Sequence, residues 1–119
     1  MDYDLKIRTK KFSLMILDIV DLLPNTVSTK VVSYQLAKSG TSVGANYRAS
    51  CRARSDNEFV SKMNIVLEES DESMFWLEII QEKGWINKTV VADAVKEANE
   101  LTSIFVAILK NTKARLNKK

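Results

Sequence analysis

Residues 55–84 read SDNEFVSKMNIVLEESDESMFWLEIIQEKG, and this stretch carries the beginning, the length and the end of one long helix. Ser55 and Glu58 match the capping box, in which a serine caps the first turn and an acidic or amide residue follows three positions later. Gly84 stands where a helix typically ends on a left-handed residue. Between these signals one face recurs at the helical intervals of three and four residues: Phe59, Met63, Val66, Leu67, Ser70, Met74, Leu77 and Ile80.

The rest of the chain repeats this period in three more segments. Only three glycines and one proline occur in 119 residues, which favours long helices joined by short connections. The single proline, Pro24, is followed by polar residues and predicts a loop. We therefore predict helices over about 4–23, 29–53, 56–83 and 88–116.

Each of the other three helices also has one face that is predicted to be buried. These faces consist of Phe12, Met15, Ile16, Ile19, Leu22 and Leu23 in the first helix, Val32, Leu36, Gly40, Val43, Tyr47 and Cys51 in the second, and Val91, Ala94, Val95, Ala98, Leu101, Phe105, Ile108 and Leu109 in the fourth. Four amphipathic helices with short loops bury such faces by packing together. The expected fold is all-α, a single domain over 1–119 that forms an antiparallel up-and-down four-helix bundle.

The composition excludes the commonest catalytic and metal centres. The chain has no histidine and one cysteine, Cys51. It therefore lacks the ligands of a zinc site, the Glu-x-x-His pairs of a di-iron bundle and the base that activates a catalytic thiol. Cys51 is expected to be a small buried apolar residue. We predict no catalytic residue, no metal, no cofactor and no small-molecule substrate, so the protein is expected not to be an enzyme.

Two further features of the sequence bear on location. The first residues, MDYDLKIRTKK, include no apolar segment of the kind that a signal peptide carries. No apolar stretch approaches the roughly 20 residues that a membrane-spanning helix needs. A lone thiol fits a reducing compartment. The expected location is the cytoplasm, with no membrane contact.

The charged residues alternate in sign along the chain, although the net charge is only +3. Residues 30–54 carry five basic and no acidic side chains, whereas residues 55–83 carry eight acidic and two basic ones. Ion pairs between the second and third helices, or between subunits, are one expected use of this difference. Whether Arg48 is held by a carboxylate of the third helix stays open.

Basic residues are also expected to gather at one end of the bundle, because the start of the first helix and the ends of the second and fourth meet there. This basic pole comprises Lys6, Arg8, Lys10, Lys11, Arg48, Arg52, Arg54, Lys110, Lys113 and Arg115. Such a cluster can bind the phosphates of RNA or DNA. The alternative is a solvated surface, in which the helix dipole favours the cations at the ends of helices two and four. Few aromatic residues interleave with the basic ones, so sequence-specific reading of bases is not expected.

Two features exceed what an isolated bundle needs. Gly40 and Gly44 lie inside a helical pattern, where glycine costs about 1 kcal/mol relative to alanine, and they indicate a close approach of two backbones. Phe75, Trp76 and Ile79 point away from the stripe of the third helix that faces the core. A helix that is apolar on two faces is normally covered on both. We therefore predict a homo-oligomer with these three residues in its interface.

The joined pattern from Gly40 through Trp76 (GTSVGANYRASCRARSDNEFVSKMNIVLEESDESMFW) resembles a family of four-helix-bundle proteins. Members are described as ribosomal-protein-like products of intervening sequences in bacterial large-subunit ribosomal RNA genes. The family is similar in fold to the accessory variability protein of diversity-generating retroelements, a basic homopentamer that associates with nucleic acid and a reverse transcriptase. The resemblance implies a bundle that forms a ring of five and carries no catalytic residues. This chain lacks the tryptophan that the family commonly has in its first helix, and Phe12 stands in its place.

Two hypotheses for function follow from these observations. The first is a non-enzymatic oligomeric bundle that binds nucleic acid, with structured RNA favoured, through the basic pole. The second is a structural or adaptor oligomer that binds a protein partner and has no nucleic-acid role. Salt-dependent binding of RNA distinguishes them.

Overall fold

The structure, a computed structural model, describes residues 2–118, with side chains from Leu5 to Lys118; Met1 and Lys119, the two ends of the predicted domain, lie outside the described residues. Four helices make up the fold: α1 (Asp2–Leu22), α2 (Val27–Ser50), α3 (Asp56–Lys83) and α4 (Lys88–Asn117). They form a rod of 52 × 22 × 20 Å. Each helix packs against the next one in the chain, and α4 returns to α1 along a shorter contact. The predicted up-and-down four-helix bundle is confirmed.

The second helix begins earlier and ends earlier than predicted. Thr26 has an extended backbone and its side chain accepts a hydrogen bond from the backbone N–H of Thr29. The Thr29 side chain bonds back to the backbone N–H of Thr26, which completes a capping box. The helix ends at Ser50 rather than at residue 53, since the chain must reverse direction before Ser55.

The third helix has the predicted bounds, with half of the predicted capping box. Ser55 is extended, and its hydroxyl accepts a hydrogen bond of 3.1 Å from the backbone N–H of Glu58. The Glu58 carboxylate accepts instead from the backbone N–H of Arg54, at 3.2 Å. Gly84 ends the helix in the left-handed conformation, with φ of 66°. A side chain at that φ would be strained, so glycine is the natural residue there.

The predicted faces supply the buried core and the half-buried residues packed against it, and of their members only Leu22 is exposed. Fully buried core residues come from all four helices: Phe12, Ile16, Ile19, Val32, Leu36, Val43, Tyr47, Met63, Val66, Leu77, Ile80, Val91, Ala94, Ala98, Leu101, Phe105 and Leu109. Leu22 was predicted to be buried but is 58% exposed. It is the last residue of α1 and lies off the core-facing side of the helix, so the prediction was wrong. Cys51 is half-buried rather than buried, because the helix has already ended before it.

Two glycines of α2 lie against α1. A Cβ atom at Gly40 would lie 2.6 Å from Cγ2 of Ile16, and one at Gly44 would lie 2.7 Å from the hydroxyl oxygen of Ser13. The Ser13 hydroxyl donates a hydrogen bond of 2.9 Å to the carbonyl oxygen of Gly40. The two glycines therefore leave room for the Ile16 and Ser13 side chains of α1. The predicted close approach of two backbones is seen at Gly44, where a Cβ atom would lie 3.2 Å from the carbonyl oxygen of Thr9.

Small hydroxyl residues line the other two long contacts. Ser73 on α3 donates to Ser39 on α2 over 2.9 Å, and Ser70 lies 2.7 Å from Thr102 on α4. These side chains also bond within their helices or across the contact, and no buried polar side-chain atom in the described part of the chain lacks a partner. Each hydroxyl is satisfied, so this polar layer packs without the cost of unpaired buried groups.

We expect the Gly40→Leu variant to lose about 1–3 kcal/mol of unfolding free energy, the usual cost of overpacking, because Ile16 already occupies the space that the new side chain needs. Denaturant unfolding measures the loss. Ala45→Leu is the matched control, since Ala45 is an exposed position on the same helix. Equal stability of the two variants would show that the contact at Gly40 is not tight.

Candidate nucleic-acid interface

A cleft of about 390 Å³ lies between α1 and the C-terminal half of α2. Four exposed basic side chains line it: Lys6, Lys10, Arg48 and Arg52. The rest of the lining is neutral and consists of Ile7, Ser13, Thr41, Gly44 and Ala45. No acidic side chain from Leu5 to Lys118 lines this space, which is called the basic cleft below. Four like charges in one concavity create a strong positive potential.

The cations of the basic cleft have no ion-pair partner among the described side chains. The ion pairs among the described side chains are formed by Arg8, Arg54 and Arg115. Arg48, whose pairing with α3 was open, is not held by an α3 carboxylate. No described side chain within α2 forms an ion pair with α3, so the intramolecular pairing predicted between these helices is absent from the described residues. The charges of the cleft face solvent and can meet a ligand.

A shallower groove continues the positive surface toward α3. Arg48 and Arg52 line this groove too, together with Arg54, Lys62 and Glu58. Glu58 lies 3.3 Å from Arg54, and its pKa is lowered, first because it accepts the backbone N–H of Arg54 and then through the Arg54 guanidinium. Arg54 is therefore partly neutralised.

Arg8 serves a structural purpose instead of facing the cleft. Its guanidinium donates two hydrogen bonds to Glu97, at 2.8 and 2.7 Å, and one to Glu100, at 2.9 Å. The bonds to Glu97 and Glu100 raise the pKa of Arg8 above its ordinary value against the opposing effect of burial. The bidentate contact between the Arg8 guanidinium and the Glu97 carboxylate joins α1 to α4.

The other predicted site residues lie away from the basic cleft. Arg115 pairs with Asp56 at 3.3 Å and joins the end of α4 to the start of α3. Lys11 lines a separate groove between α1 and α4. Lys110 and Lys113 are exposed on α4, which packs along α1 and α3 and lies diagonally across the bundle from α2. The predicted pole thus divides into one cleft with four cations, two arginines that join helices (Arg8 and Arg115), and four cations elsewhere on the surface.

The helix dipole explains the positions of only two of the four cations in the basic cleft. Arg48 and Arg52 lie at the C-terminal end of α2, where the dipole favours cations. Lys6 and Lys10 lie in the N-terminal half of α1, where it gives cations no such advantage. Helix stability therefore does not explain why the two pairs face each other without an acid between them.

The predicted oligomer interface is more covered than its sequence indicates. Phe75 is 52% exposed, and its ring meets that of Trp76 edge to face with centroids 5.0 Å apart. Trp76 and Ile79 are half-buried and pack against the core of their own bundle. Of the three residues, Phe75 is the one with a largely free surface.

Exposed apolar residues on α1 and α2 were not among the predicted site residues. Leu14 on α1 is 54% exposed, and Val27, Val31 and Tyr34 on α2 are 84%, 56% and 66% exposed. The three α2 residues follow one another at intervals of four and three, so they share one face. The spacing of these residues is visible in the sequence, and the face they form lies opposite the predicted buried stripe of α2.

Of the eight acidic residues of α3, five are exposed, and Asp56, Glu58 and Glu69 are half-buried. Glu69 is half-buried, and its pKa is raised, chiefly by burial and then by Glu72. Glu68 adds to this effect, whereas Lys38 on α2 opposes it. The ionised form of Glu69 is therefore disfavoured in the folded protein relative to the unfolded chain.

Neither a metal-binding cluster nor a membrane-spanning helix occurs among the described residues. No group of three or more histidine, cysteine, aspartate or glutamate side chains is placed to hold a metal ion. No helix in residues 2–118 is long and apolar enough to cross a membrane.

Comparison with known proteins gives a family and a fold neighbour. Residues 1–107 match the family described as 23S rRNA-intervening sequence protein. A crystal structure of a protein of unknown function from the S23 ribosomal protein family of Bacteroides thetaiotaomicron is 30% identical in sequence. It superimposes with a TM-score of 0.81 over 88% of this chain and 97% of that one. No curated protein matches the sequence.

The raised pKa of Glu69 predicts a pH-dependent gain in the Glu69→Gln variant. A carboxyl group whose folded pKa exceeds its unfolded value binds more protons in the folded state, so stability falls as pH rises through that interval. The variant should therefore melt at a higher temperature than the parent near pH 7, and this gain should shrink near pH 4. Thermal unfolding at both pH values checks this. Glu78→Gln, an exposed position on α3, controls for the loss of one charge, and a gain that grows toward pH 4 would contradict the assignment.

Proposed function

The chain belongs to the family of 23S rRNA-intervening sequence proteins, and from this premise we propose that it is a non-enzymatic, oligomeric RNA-binding protein of the cytoplasm. The basic cleft is its binding site and phosphate groups are what it binds. One observation carries the proposal: Lys6, Lys10, Arg48 and Arg52 line one cleft without an acidic residue and without ion-pair partners among the described side chains.

Two considerations support a polyanion as the ligand. Gathering four uncompensated positive charges has an electrostatic cost in the free protein, and a bound polyanion removes it. Neutralising phosphates also releases condensed counterions, which provides affinity without any reading of bases. The family name refers to 23S rRNA, so structured RNA is the first ligand to test. A chain without histidine lacks the commonest general base and the usual partner that activates a cysteine, which supports a binding role.

Self-association is the second part of the proposal. Phe75 on α3 and Tyr34 on α2 are more than half exposed in a single bundle, and a second copy of the chain would cover such surface. The resemblance to the accessory variability protein favours a ring of five. Several basic clefts on one assembly would raise the apparent affinity for a long RNA through multivalency.

We expect light scattering at micromolar concentration to give a mass that is a multiple of the 13.5 kDa of one chain. The Phe75→Glu variant should shift the distribution toward smaller species, because it places a charge on the proposed contact. Val106→Glu is the control, since Val106 is 48% exposed on a different helix. A monomer mass for the unaltered protein would refute the oligomer.

The charge of the basic cleft should determine affinity for RNA. A variant with Lys6, Lys10, Arg48 and Arg52 all replaced by Gln should bind RNA at least 100-fold more weakly at about 50 mM salt, because the phosphate contacts supply most of such affinity. Fluorescence anisotropy with a labelled stem-loop RNA measures this, and the melting temperature checks that the fold persists.

The matched control replaces Lys30, Lys83, Lys88 and Lys96 with Gln. It removes the same four charges from exposed positions outside the cleft, and it should retain affinity within a few-fold. Equal losses in both variants would mean that only net charge matters and would refute the cleft. If the unaltered protein binds no RNA or DNA but binds an acidic protein, the adaptor hypothesis takes the place of this proposal.

A further inference from the structure

We infer that the basic cleft seats an unpaired, single-stranded segment of the phosphate backbone, with two consecutive phosphates held between α1 and α2. This inference rests on the proposed function and specifies which form of nucleic acid the basic cleft binds. Within a structured RNA, the matching parts are loops, bulges and ends.

The register of the two helices places the cations at two levels. The Ser13–Gly40 hydrogen bond and the approach of Gly44 to Thr9 define which residues of α1 and α2 lie side by side. Helical side chains lean toward the N-terminus of their own helix, so those of the antiparallel α1 and α2 lean in opposite directions along the cleft. This lean brings Lys10 toward the level of Arg48.

The second level repeats the first one helical turn nearer the end of the bundle. Lys6 lies four residues before Lys10 on α1, a rise of about 6 Å. Arg52 follows Arg48 by four residues and lies in the turn just after the end of α2. Two lysine–arginine levels at this separation suit neighbouring phosphates along one extended strand. Each phosphate would have a lysine from α1 on one side and an arginine from α2 on the other.

A duplex does not fit this two-sided arrangement. The cleft lies between two packed helices, whose axes are typically about 8–10 Å apart, and a double helix is too wide to enter it. A duplex would rest on the rim and present each backbone from one side only. An unpaired strand can enter and expose its phosphates to both rows of cations.

The lining offers little that could read bases. The Ser13 hydroxyl is committed to backbone carbonyls of Thr9 and Gly40, and that of Thr41 to the carbonyl of Ala37. Among the described side chains, Ile7 is the one large apolar residue of the lining, and no aromatic ring lies there for base stacking. Binding should therefore be indifferent to sequence and governed by phosphate charge.

The test compares labelled 12-nucleotide oligouridylate with a 12-base-pair RNA duplex by fluorescence anisotropy. We expect the single strand to bind at least ten-fold more tightly at about 50 mM salt. With two phosphates neutralised, the logarithm of its affinity should fall by about 1.4 for each tenfold rise in salt. Oligothymidylate should bind within a few-fold of oligouridylate, since neither the base nor the 2′-hydroxyl is read.

Each outcome bears on a distinct statement. A duplex that binds as tightly as the single strand overturns this inference and leaves the proposed function standing. If neither RNA binds, both fail. Single-strand binding that survives replacement of Lys6, Lys10, Arg48 and Arg52 by Gln would place the strand elsewhere and overturn the inference as well.

Discussion

The direct contact of α1 with α2 at Gly40 and Gly44 is the constraint on which the rest of the surface depends. The absent side chains leave room for Ile16 and Ser13, and the Ser13 hydroxyl ties the helices together at the Gly40 carbonyl. Helices that meet this closely bring their outward-facing residues to the two sides of one narrow cleft. With larger residues at both positions, the lysines of α1 and the arginines of α2 would stand farther apart.

The arrangement of acids explains which cations remain free. Residues 30–54, which include all of α2 after its first turn, carry no acidic side chain, so α2 offers no partner to the lysines of α1. Glu97 and Glu100 of α4 are held by Arg8, and Asp56 and Glu58 at the start of α3 by Arg115 and Arg54. Arg8 and Arg115 thus join neighbouring helices, whereas the four cations of the basic cleft have no ion-pair partner among the described side chains.

Much of the fold could be predicted from the sequence because helical period and end signals are local. Ser55, Gly84 and the loop at Pro24 delimit helices whose bounds differ from prediction by a few residues. The capping pair at the start of α2 has a threonine, Thr29, where a capping box usually has glutamate or glutamine. The helix therefore begins two residues before the start predicted from the sequence. Topology alone brought the basic segments to one end of the bundle.

The division of the basic residues could not be predicted in this way. It depends on the rotation of each helix about its axis and on the register between neighbours, which are properties of packing. Arg8 and Lys10 are two residues apart, yet one faces Glu97 on α4 and the other lines the cleft. For the same reason the half-buried positions of Trp76 and Ile79 follow from contacts with the core and not from their place on the helical wheel.

The most direct test of the central claim is the rate at which each lysine is acetylated with and without oligouridylate, measured by mass spectrometry. If the cleft between α1 and α2 holds the phosphate backbone, modification of Lys6 and Lys10 should slow several-fold, whereas Lys30, Lys83 and Lys88 should react at unchanged rates. Equal protection of all lysines, or protection that is strongest outside the cleft, would contradict the account.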